Sequence, residues 1–332
     1  MEFKAKKKTK KFYIKKFFIF IGTLILIFTI GVEIYSPFYL NNYQDLDINA
    51  EVARIGGDFY TKDDNKMYYA EYNAQKPDTL IFIHGYGESS FTWRLQIAKL
   101  AASYHIITFD LFGFGMSQQT KSKNIGLDFS ADVISSFITE KKLQNVTIIA
   151  HSMGGIVAQR LAIKNQNDIS GLIFINTIDA KYMNSHGNIL KPLVNFPLIK
   201  NPFAMWNYST FISNGVKQAY YNKALVDKLV LEGYEKPYRY KGSVDESVKF
   251  LNSKNPEEID LSQIKQLSLF YASDNDEVIN SSVTDNIAKK IPNSTVIHIP
   301  KSGHLLVEEQ SDLINDGIGK WVQEIKDKAN IG

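Results

Sequence analysis

The 332-residue sequence predicts a doubly wound α/β fold, a mostly parallel sheet with helices on both faces, and three observations carry the prediction. Short, nearly all-apolar runs recur, among them "HIITFD", "VTIIAH", "GLIFINT" and "LSLFYAS". Strands read this way when helices cover both faces of their sheet. Helix-like stretches alternate with these runs, which points to parallel crossovers. A hydrophobic content of 44% in a chain of this length is enough for a substantial core.

The N-terminus stands apart. Residues 1–16, "MEFKAKKKTKKFYIKK", hold eight Lys and one Glu, and Phe17–Val32 carries no charge. At about 1.5 Å per residue this apolar stretch covers roughly 24 Å of a hydrocarbon layer about 30 Å thick. Lys15 and Lys16 can snorkel, and Tyr35, Phe38 and Tyr39 suit the interface. The alternatives are a cleaved secretory signal, for which no small-x-small site is found between Gly31 and Ser36, and a soluble core helix, against which the flanking lysines speak. The expected organisation is a basic cytoplasmic tail (1–16), a transmembrane anchor (17–35) and a linker (36–50). By the positive-inside rule the chain beyond residue 40 then lies outside the cell membrane.

Past a polar spacer, "NNYQDLDINAEV", strands are expected at "ARIGGDFY", "KMYYAEYN" and "DTLIFIHG", separated by the turns "TKDDN" and "AQKPD". A helix over Ser89–Ser103, the strand "HIITFD", a helix over Ser130–Lys142, the strand "VTIIAH", a helix after Gly154 and the strand "GLIFINT" follow. Residues 179–262 break the alternation with prolines at 192, 197, 202 and 237 and no clear strand. The strand "LSLFYAS", a helix near Ser282–Lys290, the strand "TVIHIP" and a helix from about Leu306 to Lys328 close the chain. The core is therefore 51–178 with 263–332, and 179–262 is an insertion between two of its strands.

Composition excludes several classes of function. Removing the N-terminal block leaves 30 basic against 34 acidic side chains, a body without the basic surface that nucleic acid requires. The absence of Cys removes thiolate nucleophiles, disulfides and sulfur-ligated metals. No Cys/His cluster offers a zinc site.

The stretch "VTIIAHSMGGIVAQRLA" ends an apolar strand in the exposed-looking polar pair His151 and Ser152 and then opens a helix with glycines. A serine nucleophile must project from a sharp, strained turn whose residues two before and two after are small. Here these are Ala150 and Gly154, so the motif is A-H-S-M-G rather than G-x-S-x-G. A serine at a strand-helix junction is also an ordinary N-cap. "HGYG", His84-Gly85-Tyr86-Gly87, ends another strand; it is either a turn that needs glycine or a loop that bends backbone N–H groups toward an oxyanion. The oxyanion donors would be the main-chain N–H groups of Tyr86 and Met153. Of six histidines, His105 and His298 fall within strands, His186 lies in the insertion, and a loop presents His304. Asp274 and Asp276 follow a strand; either could orient an imidazole or simply cap a turn.

Taken together, "HGYG", "DLFGFGMS" (Asp110–Ser117), "AHSMGG", "SDNDEVI" and "SGHLLVEE" show that residues from about 50 to 328 resemble the α/β-hydrolase fold superfamily, especially its lid-bearing serine esterases and lipases. The resemblance implies the chain order Ser152, Asp, His304, each at the carboxyl end of a strand. It selects Asp276, because an intervening residue and two branched aliphatics follow it, and keeps Asp274 in reserve. It gives Asp110 a bracing role and makes 179–262 a helical cap. The expected function is a membrane-anchored serine hydrolase cleaving small-molecule or lipid esters through an acyl-enzyme, with no cofactor. Alternatives are the same triad acting on amide, thioester or carbon-carbon bonds, and a non-catalytic binding protein on this fold.

Overall fold

Alternation of side-chain direction along the apolar central strands is what divides this molecule into layers. The computed structural model describes residues 21–28, 30–31, 43–117, 120–186 and 208–331. Its strands are β1 (Asp58–Lys62), β2 (Asn65–Tyr72), β3 (Thr79–Ile83), β4 (His105–Phe109), β5 (Val146–His151), β6 (Ile169–Ile175), β7 (Leu267–Ser273) and β8 (Ser294–Ile299). They form one eight-stranded sheet in the order β1-β2-β4-β3-β5-β6-β7-β8. The β1–β2 and β2–β4 pairs are antiparallel and the rest are parallel. At the β1–β2 hairpin Asp63 and Asp64 take φ of 49° and 61°, the double left-handed geometry of a two-residue turn matched to strand twist.

Helices α1 (Ile48–Ile55), α2 (Arg94–Leu100), α3 (Leu127–Glu140), α4 (Gly154–Lys164), α5 (Ala180–His186), α6 (Tyr208–Ala219), α7 (Lys228–Glu235), α8 (Ser243–Asn252), α9 (Ser281–Ala288), α10 (Leu306–Glu309) and α11 (Ser311–Ile331) surround it. Along β3, Ile81 and Ile83 pack into the layer of α3, α4 and α9, whereas Leu80 and Phe82 pack into the layer of α2 and α11. All four are fully buried, as strands covered on both faces require.

Three local expectations are corrected. The strand expected from Ala53 begins only at Asp58, and part of the expected linker is α1. Asp47 caps that helix by accepting from the Ala50 N–H at 3.0 Å, and Ile48, Val52 and Ile55 recur at helical spacing. The closing helix is two helices, because Gln310 leaves helical geometry at φ −127° and ψ 43°. Among the described residues no helix is long and apolar enough to cross a membrane. Of the expected anchor, residues 21–28, 30 and 31 are described, all helical and exposed. The remainder of 17–35, the tail 1–16 and residues 36–42 lie outside the described residues.

The described part of the insertion is helical, α5 to α8. Ile212, Val216, Ala219, Tyr220, Val230 and Tyr234 form a small core of their own that closes on Leu305 of the main body. Tyr220 belongs to that core, Tyr221 is exposed, and Trp206 lies outside the described residues. The insertion is fastened through Glu308. Arg94 grips its carboxylate with both terminal nitrogens at 2.6 and 2.7 Å, the Tyr234 hydroxyl donates at 2.6 Å, and the Tyr220 hydroxyl donates as well. The Glu308 side chain is almost wholly buried, and stripping one partner from a buried ion pair costs about 3–5 kcal/mol. Glu309 binds the N–H groups of Asn222 and Gly303 at 2.7 and 2.6 Å. Both carboxylates stand within a few residues of His304.

Candidate active site

Ser152 occupies the step from β5 into α4 and holds φ at +50°, a left-handed conformation that costs a non-glycine residue about 1–3 kcal/mol. The surroundings make the strain tolerable. Ala150 lies in register between Ile83 and Phe174 in the middle of the sheet, and the Ser152 N–H donates to Ile175 O at 2.9 Å. A Cβ on Gly154 would stand 2.6 Å from the carbonyl oxygens of Ile83 and His84. Backbone cannot yield there, so this position must be glycine.

Two further strand ends meet the serine. His304 leaves the loop between β8 and α10 with Nε2 at 3.0 Å from Ser152 Oγ and Nδ1 at 2.7 Å from Asp276 Oδ2. The other Asp276 oxygen accepts from the Val278 and Ile279 N–H groups at 2.7 and 2.8 Å, and its side chain is fully buried. The ionised carboxylate only accepts, so Nδ1 carries the proton and Nε2 offers its lone pair to the serine hydroxyl, a tautomer assigned from the hydrogen-bond network. Ser152 and His304 are each 7% exposed, so water is largely excluded from the hydroxyl–imidazole contact.

Asp274 is not brought to this chain. It accepts from His298 Nδ1 at 2.9 Å, while His298 Nε2 faces Asp285 at 3.0 Å. These bonds, that to Asp274 foremost, hold the His298 imidazole above its usual pKa at the protein surface. His105 is satisfied by Thr79 and Glu71, and His186 stacks on Tyr182 at 4.2 Å.

The glycine loop lies beside the serine. His84 is buried and neutral, since Leu111 N–H donates to its Nε2 at 2.9 Å and its Nδ1–H donates to Gly85 O at 2.7 Å; burial pushes its pKa down accordingly. Gly87 adopts φ of +74°, and a Cβ on Gly85 would crowd Glu88 and Ser152. Among the described residues neither the Tyr86 nor the Met153 N–H has an acceptor, which leaves both open to an oxygen of a bound molecule. Asp110 lies one layer away. Its carboxylate accepts from the Ser90 N–H and hydroxyl at 2.6 Å each and from Met116 N–H at 2.7 Å, which ties the "DLFGFGMS" loop into a knot. Tyr86, Phe114 and Phe250 form an aromatic wall next to the loop, with Phe114 ring centroids 5.3 Å from Tyr86 and 4.8 Å from Phe250.

Sequence reading missed three polar residues that frame this site. His151, expected to be exposed beside Ser152, is completely buried; its Nε2 donates to His304 O at 2.9 Å and its Nδ1 lies 2.8 Å from Glu88 Oε1. Asn176 donates from Nδ2 to the same His304 carbonyl at 2.9 Å and to Ser273 Oγ at 2.9 Å. Glu88 accepts from Gly85 N–H at 2.9 Å. Their partners are backbone groups and residues distant in sequence, and only the polar character of Glu88 inside a glycine turn could have signalled any of them.

Residues 78–311 match the family model described as the alpha/beta hydrolase fold. The chain is 22% identical over 268 residues to the uncharacterized hydrolase YugF of Bacillus subtilis (strain 168), covering 80% of this chain and 97% of that protein. It is 28% identical over 300 residues to Lipase 3 of Moraxella sp. (strain TA144), covering 84% and 85%. A thermophilic esterase from Thermogutta terrifontis superposes with a TM-score of 0.65 at 18% identity, over 81% of this chain and 98% of that one.

Replacing Asp276 with Asn should lower turnover on the order of 10³–10⁴-fold by turning the imidazole to the wrong tautomer, whereas Asp274→Asn should leave it within about twofold. Steady-state kinetics on the two variants checks this. Equal losses would remove Asp276 from the arrangement.

Proposed function

The chain belongs to the α/β-hydrolase fold family, and on that footing we propose that it is a serine hydrolase that cleaves carboxylic esters through an acyl-enzyme on Ser152. The observation that carries the reading is the unbroken run of contacts from Asp276 through His304 to Ser152, at 2.7 and 3.0 Å. His304 takes the hydroxyl proton as Oγ attacks the ester carbonyl, and Asp276 stabilises the imidazolium that forms. The Tyr86 and Met153 N–H groups receive the oxyanion. Collapse of the tetrahedral intermediate breaks the ester C–O bond, His304 protonates the departing alkoxide, and water then enters by the same proton path to release the acid. All of these steps use residues of this chain and a water molecule.

An ester is favoured over other acyl donors by two things. Lipase 3 of Moraxella sp. and Lipase 1 of Psychrobacter immobilis, the latter 26% identical over 295 residues, carry that activity in their names. The exposed ring of Tyr86, backed by the buried rings of Phe114 and Phe250, also gives an acyl chain an apolar surface beside the glycine loop. Within the same proposal the catalytic domain is held outside the cell membrane by residues 17–35. The lysine block and the uncharged run Phe17–Val32 support this placement.

Chromogenic esters of increasing acyl length, run beside the matching amides, should show ester turnover that is lost in Ser152→Ala. Inactivity on every ester together with amide turnover would overturn the substrate class. Protease added to intact cells should digest the catalytic domain. Its full protection, with digestion after lysis, would put the domain on the cytoplasmic side.

A further inference from the structure

A buried ion pair lies directly beneath the site, and the proton path described above makes no use of it. Glu88 is 6% exposed and His151 is fully buried. An ion pair without a positional task is an expensive thing to bury, because both groups lose hydration and a well-packed apolar pair would serve stability as well or better. Here each end of the pair is bonded to a different part of the reacting constellation.

At one end, Glu88 Oε2 accepts the Gly85 N–H at 2.9 Å. The carbonyl of Gly85 accepts His84 Nδ1–H at 2.7 Å. In a trans peptide the carbonyl of one residue and the N–H of the next point in opposite directions, so clamping Gly85 on both sides sets the direction of the Tyr86 N–H. At the other end, His151 Nε2–H donates to the His304 carbonyl at 2.9 Å, and the His151 and His304 rings lie with centroids 4.7 Å apart. Between the ends, His151 Nδ1 and Glu88 Oε1 are 2.8 Å apart with the ring N–H off the line to the oxygen, so the attraction is chiefly charge on charge.

We propose that Glu88 and His151 are positioning residues for the reaction, a charged strut that holds the oxyanion donor of the glycine loop and the imidazole of His304 at a fixed separation on either side of Ser152. The inference rests on the serine-hydrolase reading. Burial alone would push the Glu88 carboxyl up, but the His151 charge, with the Gly85 N–H, holds it down at about 2. Burial would likewise lower His151, and Glu88 raises it above its usual value instead. Both shifts favour the ionised form of the pair. A strut of this kind acts only through Tyr86 and His304 and leaves substrate affinity alone; a displacement of the order of 1 Å between oxyanion donor and general base costs about 100-fold in rate.

The test uses the full-length protein, Glu88→Gln, His151→Gln and the double variant, with each preparation titrated by a fluorophosphonate so that rates refer to competent sites. In each single variant kcat per titrated site should fall on the order of 10-fold to 100-fold, with KM within about threefold of wild type. The inhibition constant for a trifluoromethyl ketone, which adds to an activated serine and places an oxyanion on the two N–H groups, should rise by the same factor as kcat falls. The double variant should lose no more than the worse single one, as two halves of one device do. The proposal is overturned if kcat per site stays within about twofold of wild type in both singles, if the loss falls on KM, or if the two losses multiply. Should Glu88→Gln not fold, His151→Gln decides the same question from the other end. Wild-type protein that does not titrate at all would bring down the serine-hydrolase reading itself, an outcome distinct from a labelled, active wild type whose variants behave like it.

Discussion

The left-handed backbone of Ser152 is the constraint from which the rest of this molecule follows. An L-residue held at φ +50° relaxes unless its neighbours forbid it, and here the centre of a parallel sheet does so. β5 lies between β3 and β6, its N–H groups are committed to both, and the chain must turn sharply from Ser152 into α4 while passing the carbonyls of Ile83 and His84. Glycine at 154 is the residue that passes. The motif A-H-S-M-G is therefore a packing statement first, and its consequence is a hydroxyl thrust above the sheet.

That hydroxyl is useful only because β7 and β8 finish on the same edge. Parallel pairing of β6, β7 and β8 in near register carries Asp276 and His304 to the carboxyl end where Ser152 already projects. The loop that bears His304 is then tied on every side. Its carbonyl is held by Asn176 and His151, Gly303 N–H by Glu309, and Leu305 N–H by Ala219 of the cap. The cap is joined to the same few residues through Glu308. The insertion and the loop that bears His304 are consequently tied together through one short stretch of residues, Gly303 to Glu309.

Much of the fold was legible because its signal is local. β5 and β7 coincide with "VTIIAH" and "LSLFYAS", since a short apolar run flanked by turns has few other ways to be buried. α1 was missed although Asp47 caps it, because a short polar-rich segment following an apolar stretch reads as spacer unless the contact of Leu46 with Tyr240 is known. The helical nature of the insertion was expected from the resemblance, while its prolines and polar residues hid where the individual helices begin and end. Within the site, Ser152 and His304 stood out by motif and by loop position. Two acids two residues apart are equivalent by residue type; what separates Asp276 from Asp274 is which of them the β7 turn buries, with Val278 and Ile279 N–H groups bound to one and His298 drawn to the other. The roles of His151 and Asn176 left no trace in sequence, and that of Glu88 only its polar character inside a glycine turn, because most of their partners are brought near only by the completed sheet.

The central claim is a covalent one, that an acyl group passes through Ser152. Rapid mixing of the protein with a p-nitrophenyl ester, quenched in acid during the first turnover and followed by peptide mass mapping, examines it directly. We expect a burst of p-nitrophenol stoichiometric with enzyme and the acyl mass on the peptide containing Ser152. Product release without any acylated peptide, or an acyl group carried by another residue, would contradict it.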